Sequence, residues 1–376
     1  MQGTVEKIVS GGAGLLRTPS GVVFVPSVLP GETILFRVEQ KVRGVLWGSL
    51  QEILEASPLR VKPECPHYDL CGGCDFMYAD IEAQRQLKAD LVREAFHRLA
   101  KVNLENLDFS SGEPWQYRSR IQLHKEGNVC GFKARASHRV VPVADCPIVD
   151  KELLPLLAQP PSDEVRESLA QLSDGRWNAV ASEGWRLEGH DKSATVNVMG
   201  KRLTLSLSGF FQSNRALLPK LIDYVVSSFA PKDTGGTVAD LYCGAGLFGA
   251  FLADHFDRVI GVEENTSALA LARLNVVGPL HEFHAVRVEN WLANSGSQLL
   301  DVVVDPPRAG LSPVVREALA KRRPQQIVYV SCNPDTLARD SGYFLAHGYR
   351  LKDAHAFDFY PQTTHIEAAV RLVYGG

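Results

Sequence analysis

Apolar and polar positions change their period several times along the chain. Over residues 1–56 they alternate in short runs broken by glycine: TVEKIVSGGAGLLR, GVVFVPSVLPGETILFRVEQ and VLWGSLQEIL. A period of two between turn residues predicts short, half-buried strands, and this many in so short a stretch predicts a small closed barrel of the OB type. IEAQRQLKADLVREAFHRLA then shifts to a helical period, with Ile81, Leu87, Leu91, Phe96 and Leu99 mostly along one face. Short strands return over 115–205, around a helical insert near 151–172. From 206 onward the strand runs TVADLY, RVIGVE, LDVVVD and QIVYVS alternate with helical stretches such as ALALARLNVVG and PVVREALAKR, and HIEAAVRLVY reads as a last strand. That alternation predicts an α/β domain with a doubly wound parallel sheet, whose ligands sit at the carboxyl ends of the strands. Three domains are expected, over 1–56, 57–205 and 206–376.

Composition narrows the class only a little. The chain has 376 residues, 45% hydrophobic and 22% charged, with a formal net charge of −3. Its apolar runs are too short and interrupted to span a bilayer, and the start lacks a secretory pattern, so a cytoplasmic protein without a membrane partner is expected. Oligomeric state is not readable from the residues, and a monomer is the simplest expectation. The seven cysteines are an odd number, which argues for metal ligands or reactive thiols over a disulfide framework.

ADLYCGAGLFGAFL sets Gly244, Gly246 and Gly249 at G-x-G-x-x-G spacing between a strand and a helix, and Glu263 ends the next strand. Alone this suits a dinucleotide, with backbone approach at the glycines and a carboxylate on ribose hydroxyls. Asp240, in the strand before the loop, shifts the reading. A carboxylate there sits badly beside a pyrophosphate but well beside the ammonium group of S-adenosylmethionine, so the methyl donor is preferred.

DVVVDPPRAG ends another strand with Asp305, and VYVSCNPDTLARD ends the next with Cys332. A thiol beside a methyl donor suits one particular difficulty. Carbon 5 of uracil is a poor nucleophile, but thiolate addition at carbon 6 creates an enolate that attacks the methyl group. A base must then take the carbon 5 proton before the thiol can leave. Glu367, in HIEAAV, is the favoured base and His365 the alternative. A non-catalytic RNA-binding protein and a dinucleotide-dependent iron–sulfur reductase both leave Cys332 and Glu367 without a task.

Together DLYCGAG, DPPRAG, SCNPDTLARD and HIEAAV resemble the RNA 5-methyluridine (uracil-C5) methyltransferase family. The resemblance implies a class I, Rossmann-like methyltransferase domain, with Cys332 as nucleophile and Glu367 as proton acceptor. It also implies donor contacts from Gln212, Tyr242, Glu263, Asn290 and Asp305, beside Asp240, Gly244 and Gly246. The N-terminal barrel resembles the TRAM module, an RNA-binding OB-type domain.

Cys65, Cys71, Cys74 and Cys146 form one close group plus a distant fourth. Structural zinc usually takes two close pairs, and three grouped thiols with a late fourth fit a [4Fe–4S] cluster better. Family members with C-x5-C-G-G-C and a late Cys-Pro carry such a cluster, so the resemblance implies one in a central α+β domain. WQYRSRIQLHKEGNVCGFKARASHR holds six basic residues against one acidic, interleaved with aromatics, a mixture that suits phosphate contact and base stacking. Arg118, Arg120, Lys133 and Arg135 are its candidate RNA contacts. The expected substrate is RNA, with 23S ribosomal RNA favoured over transfer RNA.

Overall fold

The computed structural model describes residues 1–229, 236–296 and 301–375. At its start six strands form one sheet in the order Gln2–Thr4, Thr33–Val42, Val45–Glu55, Gly21–Val25, Gly14–Thr18, Lys7–Ile8. The two end strands are consecutive pieces of chain two residues apart, so the sheet closes into a barrel. Val5, Leu16, Val23, Val25, Val28, Ile34 and Phe36 fill it. Arg43 and Gly44, both with positive φ, make the two-residue turn of its long hairpin. A buried carboxylate ties the barrel to the chain beyond it: Glu32 accepts from Arg60 Nε (2.5 Å) and from the backbone N–H of Leu29 (2.8 Å).

The middle of the chain holds an antiparallel five-stranded sheet in the order Val140–Val141, Val129–Lys133, Arg120–Glu126, Gly175–Ala181, Trp185–Leu187. The predicted insert is a short 3-10 turn, Leu154–Leu156, and a helix, Asp163–Ala170.

The last part is an eight-stranded sheet in the order Glu282–Ala285, Arg258–Glu263, Thr237–Leu241, Asp301–Val304, Gln326–Ser331, Glu367–Tyr374, Tyr349–Phe357, Asp108–Ser110. The first five strands are parallel, and Glu367–Tyr374 runs antiparallel between its two neighbours. The strands bury both faces. Val302, Val304, Ile327 and Tyr329 enter one core while Val303, Val328 and Val330 enter the other, which is the period of two acting within continuous apolar runs.

Two features differ from the expected domain division. The Ile81–Ala95 helix and the Asp108–Ser110 strand belong by packing to the last domain, not to the cysteine segment before them. Ala89, Val92, Ala95 and Phe96 share a core with Leu337 and Phe344, and Asp108–Ser110 pairs in parallel with Tyr349–Phe357. The helix meets its expected face only in its second half, where Leu91 and Phe96 are buried. Ile81 and Leu87 are only half-buried and Leu99 is exposed, whereas Gln84 and Lys88 are buried. Both polar residues have partners: Gln84 pairs with Gln362, and Lys88 Nζ lies 2.6 Å from Asp358 Oδ1. Paired polar groups can occupy a core position that apolar periodicity alone assigns elsewhere.

Candidate active site

The donor loop leaves the central strand through three residues in left-handed backbone, Tyr242, Gly244 and Gly246. At Gly246 a Cβ would lie 2.9 Å from Val276 Cγ2 and 3.0 Å from Ala272 Cα, so only glycine admits both the turn and the helix packed behind it. Glu263 Oε2 accepts from Gly244 N–H (3.1 Å) and Oε1 from Asn265 N–H (2.8 Å), which fixes the carboxylate at the strand end. Asp240 is buried, with Oδ2 accepting from Gly249 N–H (3.1 Å) and Oδ1 lacking any partner. Burial pushes its carboxyl up to about 8. A desolvated, half-satisfied carboxylate favours a cationic neighbour.

The strand ending at Ser331 turns directly into the Pro334–Leu345 helix, capped by the Asn333 side chain with Pro334 at its first position. This helix clamps the DPPRAG loop. Asn333 Nδ2 (3.0 Å) and Thr336 Oγ1 (3.4 Å) donate to Arg308 O, and Arg339 Nη2 donates to Ala309 O (3.0 Å). Asp340, fully buried, accepts from Leu311 N–H (2.8 Å), Tyr329 OH (2.8 Å), Arg316 Nη1 (3.1 Å) and Arg339 Nε (2.8 Å). Gly310 has a φ of +74°, and a Cβ there would meet Asp340 Oδ2 at 2.6 Å. The long SCNPDTLARD motif is thus a set of fasteners around one half-buried thiol.

Ser331 faces Ala368 in antiparallel register, so Cys332 and Glu367 are the next residues along their neighbouring strands. Glu367 is buried and hydrogen-bonded to the Gln212 side chain; burial and the charge of Asp305 hold its carboxyl well above the usual range. Tyr360 OH donates to Gln212 Oε1 (3.3 Å), which leaves the Gln212 amide to donate to Glu367. Burial pushes Cys332 up to about 11, with Glu367 and Asp305 adding to the rise and Arg308 opposing it. Asp305 is itself pushed up to about 7 by burial.

Cys65, Cys71, Cys74 and Cys146 line one cavity with Met77, Phe132, Val143 and Ile148. Burial, and after it the neighbouring thiols, pushes Cys74 up to about 12, while burial pushes Cys146 up to about 11. Among the described residues, no group of three or more His, Cys, Asp or Glu side chains is arranged to hold a metal ion.

The other expected site residues fall in different settings. Arg120 is not a surface cation: its guanidinium donates to Ser206 O (3.3 Å) and Leu207 O (2.6 Å) and joins two sheets. Arg118 lines the cysteine cavity with its Nε buried and without a partner. Lys133 and Arg135 are exposed, Arg135 lying over the Tyr68 ring and donating to Cys74 O (2.7 Å). Asn290 is exposed on the Val288–Asn294 helix, beyond the strand-end turn that Val286 and Arg287 occupy. His365 precedes the last strand rather than sharing its face, and is exposed with Nδ1 3.1 Å from Arg308 Nη2. Tyr360, Asp340 and the Lys88–Asp358 pair went unread. The LARD run was the only sequence sign of Asp340, and the others had none, because their partners lie far away in the chain.

A glycine-rich donor loop, with carboxylates at the ends of adjacent parallel strands, defines the class I methyltransferase architecture. The family model for tRNA (uracil-5-)-methyltransferase matches residues 280–374, and that for the methyltransferase small domain matches 222–322. An RNA methyltransferase of Treponema denticola is 33% identical, covering 96% of each chain. The 23S rRNA (uracil(1939)-C(5))-methyltransferase of Methylococcus capsulatus is 31% identical over 97% of this chain and 95% of its own. The solved tRNA (uracil-54, C5)-methyltransferase of Pyrococcus abyssi, in complex with S-adenosyl-L-homocysteine, shares the fold with a TM-score of 0.76 at 23% identity, over 99% of both chains. The chain belongs to the RNA uracil-5-methyltransferase family.

Among the described residues no helix is long and apolar enough to cross a membrane.

Proposed function

We propose that this chain methylates carbon 5 of a uridine in structured RNA, with Cys332 as nucleophile and Glu367 as base. The observation that carries the reading is the adjacency of Cys332 and Glu367 across neighbouring strands, at the sheet edge where the donor loop also ends. S-adenosylmethionine supplies an electrophilic methyl group. Asp240, Glu263 and Gly244 would hold it, together with Gln212, Tyr242, Gly246, Asn290 and Asp305, and Gln212 also hydrogen-bonds Glu367. The Cys332 thiolate bonds to uracil carbon 6, and the ring electrons pass to the carbon 4 oxygen. Carbon 5 takes the methyl group, leaving S-adenosylhomocysteine. Glu367 then accepts the carbon 5 proton, the double bond re-forms, and the thiolate departs. Arg308 favours the thiolate, and the donor's positive charge would favour ionisation of both Cys332 and Glu367.

Large-subunit ribosomal RNA is the preferred substrate, as named for the Methylococcus capsulatus relative, ahead of the transfer RNA named for the Pyrococcus abyssi protein. Lys133 and Arg135 are offered as phosphate contacts, and the N-terminal barrel as an RNA-binding module of the TRAM type. The four cysteines are the proposed ligands of a [4Fe–4S] cluster. A single ion needs its sulfurs about 2.3 Å from one point, whereas a cluster takes one thiolate at each of four irons. An all-thiol set spread around one cavity suits the latter. Such a cluster supplies positive charge that lets the buried thiols ionise, and Gly73 N–H, 3.4 Å from Cys71 Sγ, offers a hydrogen bond to sulfur.

The test is tritium release from [5-3H]uridine in a 23S fragment and in a transfer RNA T-stem loop. Release with the ribosomal fragment, lost in Cys332→Ala, is expected. Release that persists in that variant would overturn the mechanism, and preference for the T-loop would reassign the substrate.

A further inference from the structure

Glu367 is reached through a segment that the rest of the methyltransferase domain does not hold alone. Residues 358–366 are mostly buried, and their partners come from several distant parts of the chain. Lys88 Nζ donates to Asp358 Oδ1 (2.6 Å) and to Tyr360 O (3.0 Å). Tyr117 OH donates to Pro361 O (2.9 Å). Gln84 and Gln362 bond reciprocally, at 2.9 Å each way, and Phe76 N–H donates to Gln362 O (3.0 Å). Asp75 receives Thr364 N–H on one oxygen (2.8 Å) and Thr364 Oγ1 on the other (3.1 Å). Gly12 of the barrel closes against the same threonine, where a Cβ would lie 2.3 Å from Thr364 Cγ2.

Asp75 directly follows Cys74. The stretch 65–74 is turns and bends tied to the neighbouring sheet by a bridge of Cys71 to Ala134 and a few bonds such as Gly72 N–H to Lys133 O (2.9 Å), so a group filling the cysteine cavity would add to its order. At the other end, the 358–366 segment carries Tyr360, whose hydroxyl orients Gln212 toward Glu367. Cys332 depends less on that segment, because its turn is fastened mainly by Ser331, Asn333, Thr336 and Asp340 of its own domain, with His365 reaching only Arg308 Nη2 (3.1 Å) in the loop beside it.

We propose that Asp75 is a positioning residue for Glu367. It couples order in the cysteine loop to the segment that places the carboxylate, so a filled cavity supports proton removal from carbon 5 while leaving thiol addition and methyl transfer largely untouched. The inference rests on the proposed roles of Cys332 and Glu367 and of the four cysteines.

The experiment uses the cluster-loaded full chain and Asp75→Ala. The variant is expected to keep its visible chromophore, its S-adenosylmethionine affinity within about two-fold, and the wild-type rate of adduct formation with 5-fluorouridine RNA. On ordinary uridine RNA, kcat falls about ten-fold or more with KM little changed, and covalent protein–RNA complex accumulates, because a misplaced base stalls elimination. Asp75→Asn should sit between, since its amide oxygen keeps one of the two bonds. Thr364→Val, which retains the N–H bond, is the substitute should Asp75→Ala lose its chromophore. Amide exchange gives an independent reading: residues 358–366 should exchange faster in Asp75→Ala and in wild type stripped of its cluster, with Pro334–Leu345 unchanged. A proportional slowing of adduct formation, a uniform rise in exchange, or unchanged exchange on stripping would each overturn the proposal. Wild-type protein that forms no adduct with 5-fluorouridine RNA would instead remove the proposed function itself.

Discussion

The turn that carries Cys332 and the loop that leads into Glu367 end side by side, yet they are built on opposite principles. Around Cys332 the fasteners are mainly local, although Arg98 also pairs with Asp335 (2.7 Å): Asn333 and Thr336 grip Arg308 O, and Asp340 gathers Leu311, Tyr329, Arg316 and Arg339. Around the approach to Glu367 the fasteners are remote, with Lys88 and Gln84 some 270 residues away in the chain and Asp75 farther still. A nucleophile held by its neighbours is in place whenever its domain is folded. A base held by distant segments is in place only when the whole molecule has assembled.

The largest effect that tests this contrast is chemical. Cys332→Ala should abolish both turnover and the covalent adduct, while Glu367→Gln should form the adduct and fail to release it; gel-shifted protein–RNA complex after denaturation distinguishes the two. Equal behaviour of the variants would erase the division of labour. Next come the two buried carboxylates. Lys88→Met leaves Asp358 buried without its ammonium partner, and Asp340→Ala strands four donors; each should cost on the order of 3–5 kcal/mol in chemical denaturation. Weak variants of this pair sharpen the comparison further. Lys88→Arg, if folded, should impair release more than adduct formation, whereas Asp340→Asn should impair adduct formation first.

The smallest effect concerns pH. The Cys332 thiol lies high because burial and the anions Glu367 and Asp305 disfavour its thiolate, so alkylation by iodoacetamide should keep rising with pH well past the ordinary thiol range. Asp305→Asn removes one anion, lowers the thiol toward neutrality and speeds alkylation at fixed pH. The gain should appear mainly above about pH 7, where the native Asp305 is ionised. Added S-adenosylmethionine should shift the profile the same way through its positive charge.

What could be read in advance divides along the same line. The glycine loop, the strand ends at Glu263, Asp305 and Cys332, and the alternation of the barrel are local patterns, and local patterns survive in sequence. The buried face of the Ile81–Ala95 helix does not, because Gln84 and Lys88 enter the core only through partners that folding brings from the far end of the chain. Arg120 looked like a phosphate contact because it stands in a basic, aromatic-rich run, but its carbonyl partners at 206 and 207 lie beyond any local window. His365 differs from its expected place for a narrower reason: the last strand begins at Glu367, a shift of two residues that takes His365 off the strand face.

The Asp108–Ser110 strand caps the outer edge of the large sheet, although it comes from before the five-stranded sheet in the chain. A fragment cut at residue 206 would therefore leave Tyr349–Phe357 as a bare template for another molecule's backbone, and Asp358 as an unmatched anion beneath it. Such a catalytic half should clump into oligomers on expression. Supplying residues 57–205 in trans should restore its solubility.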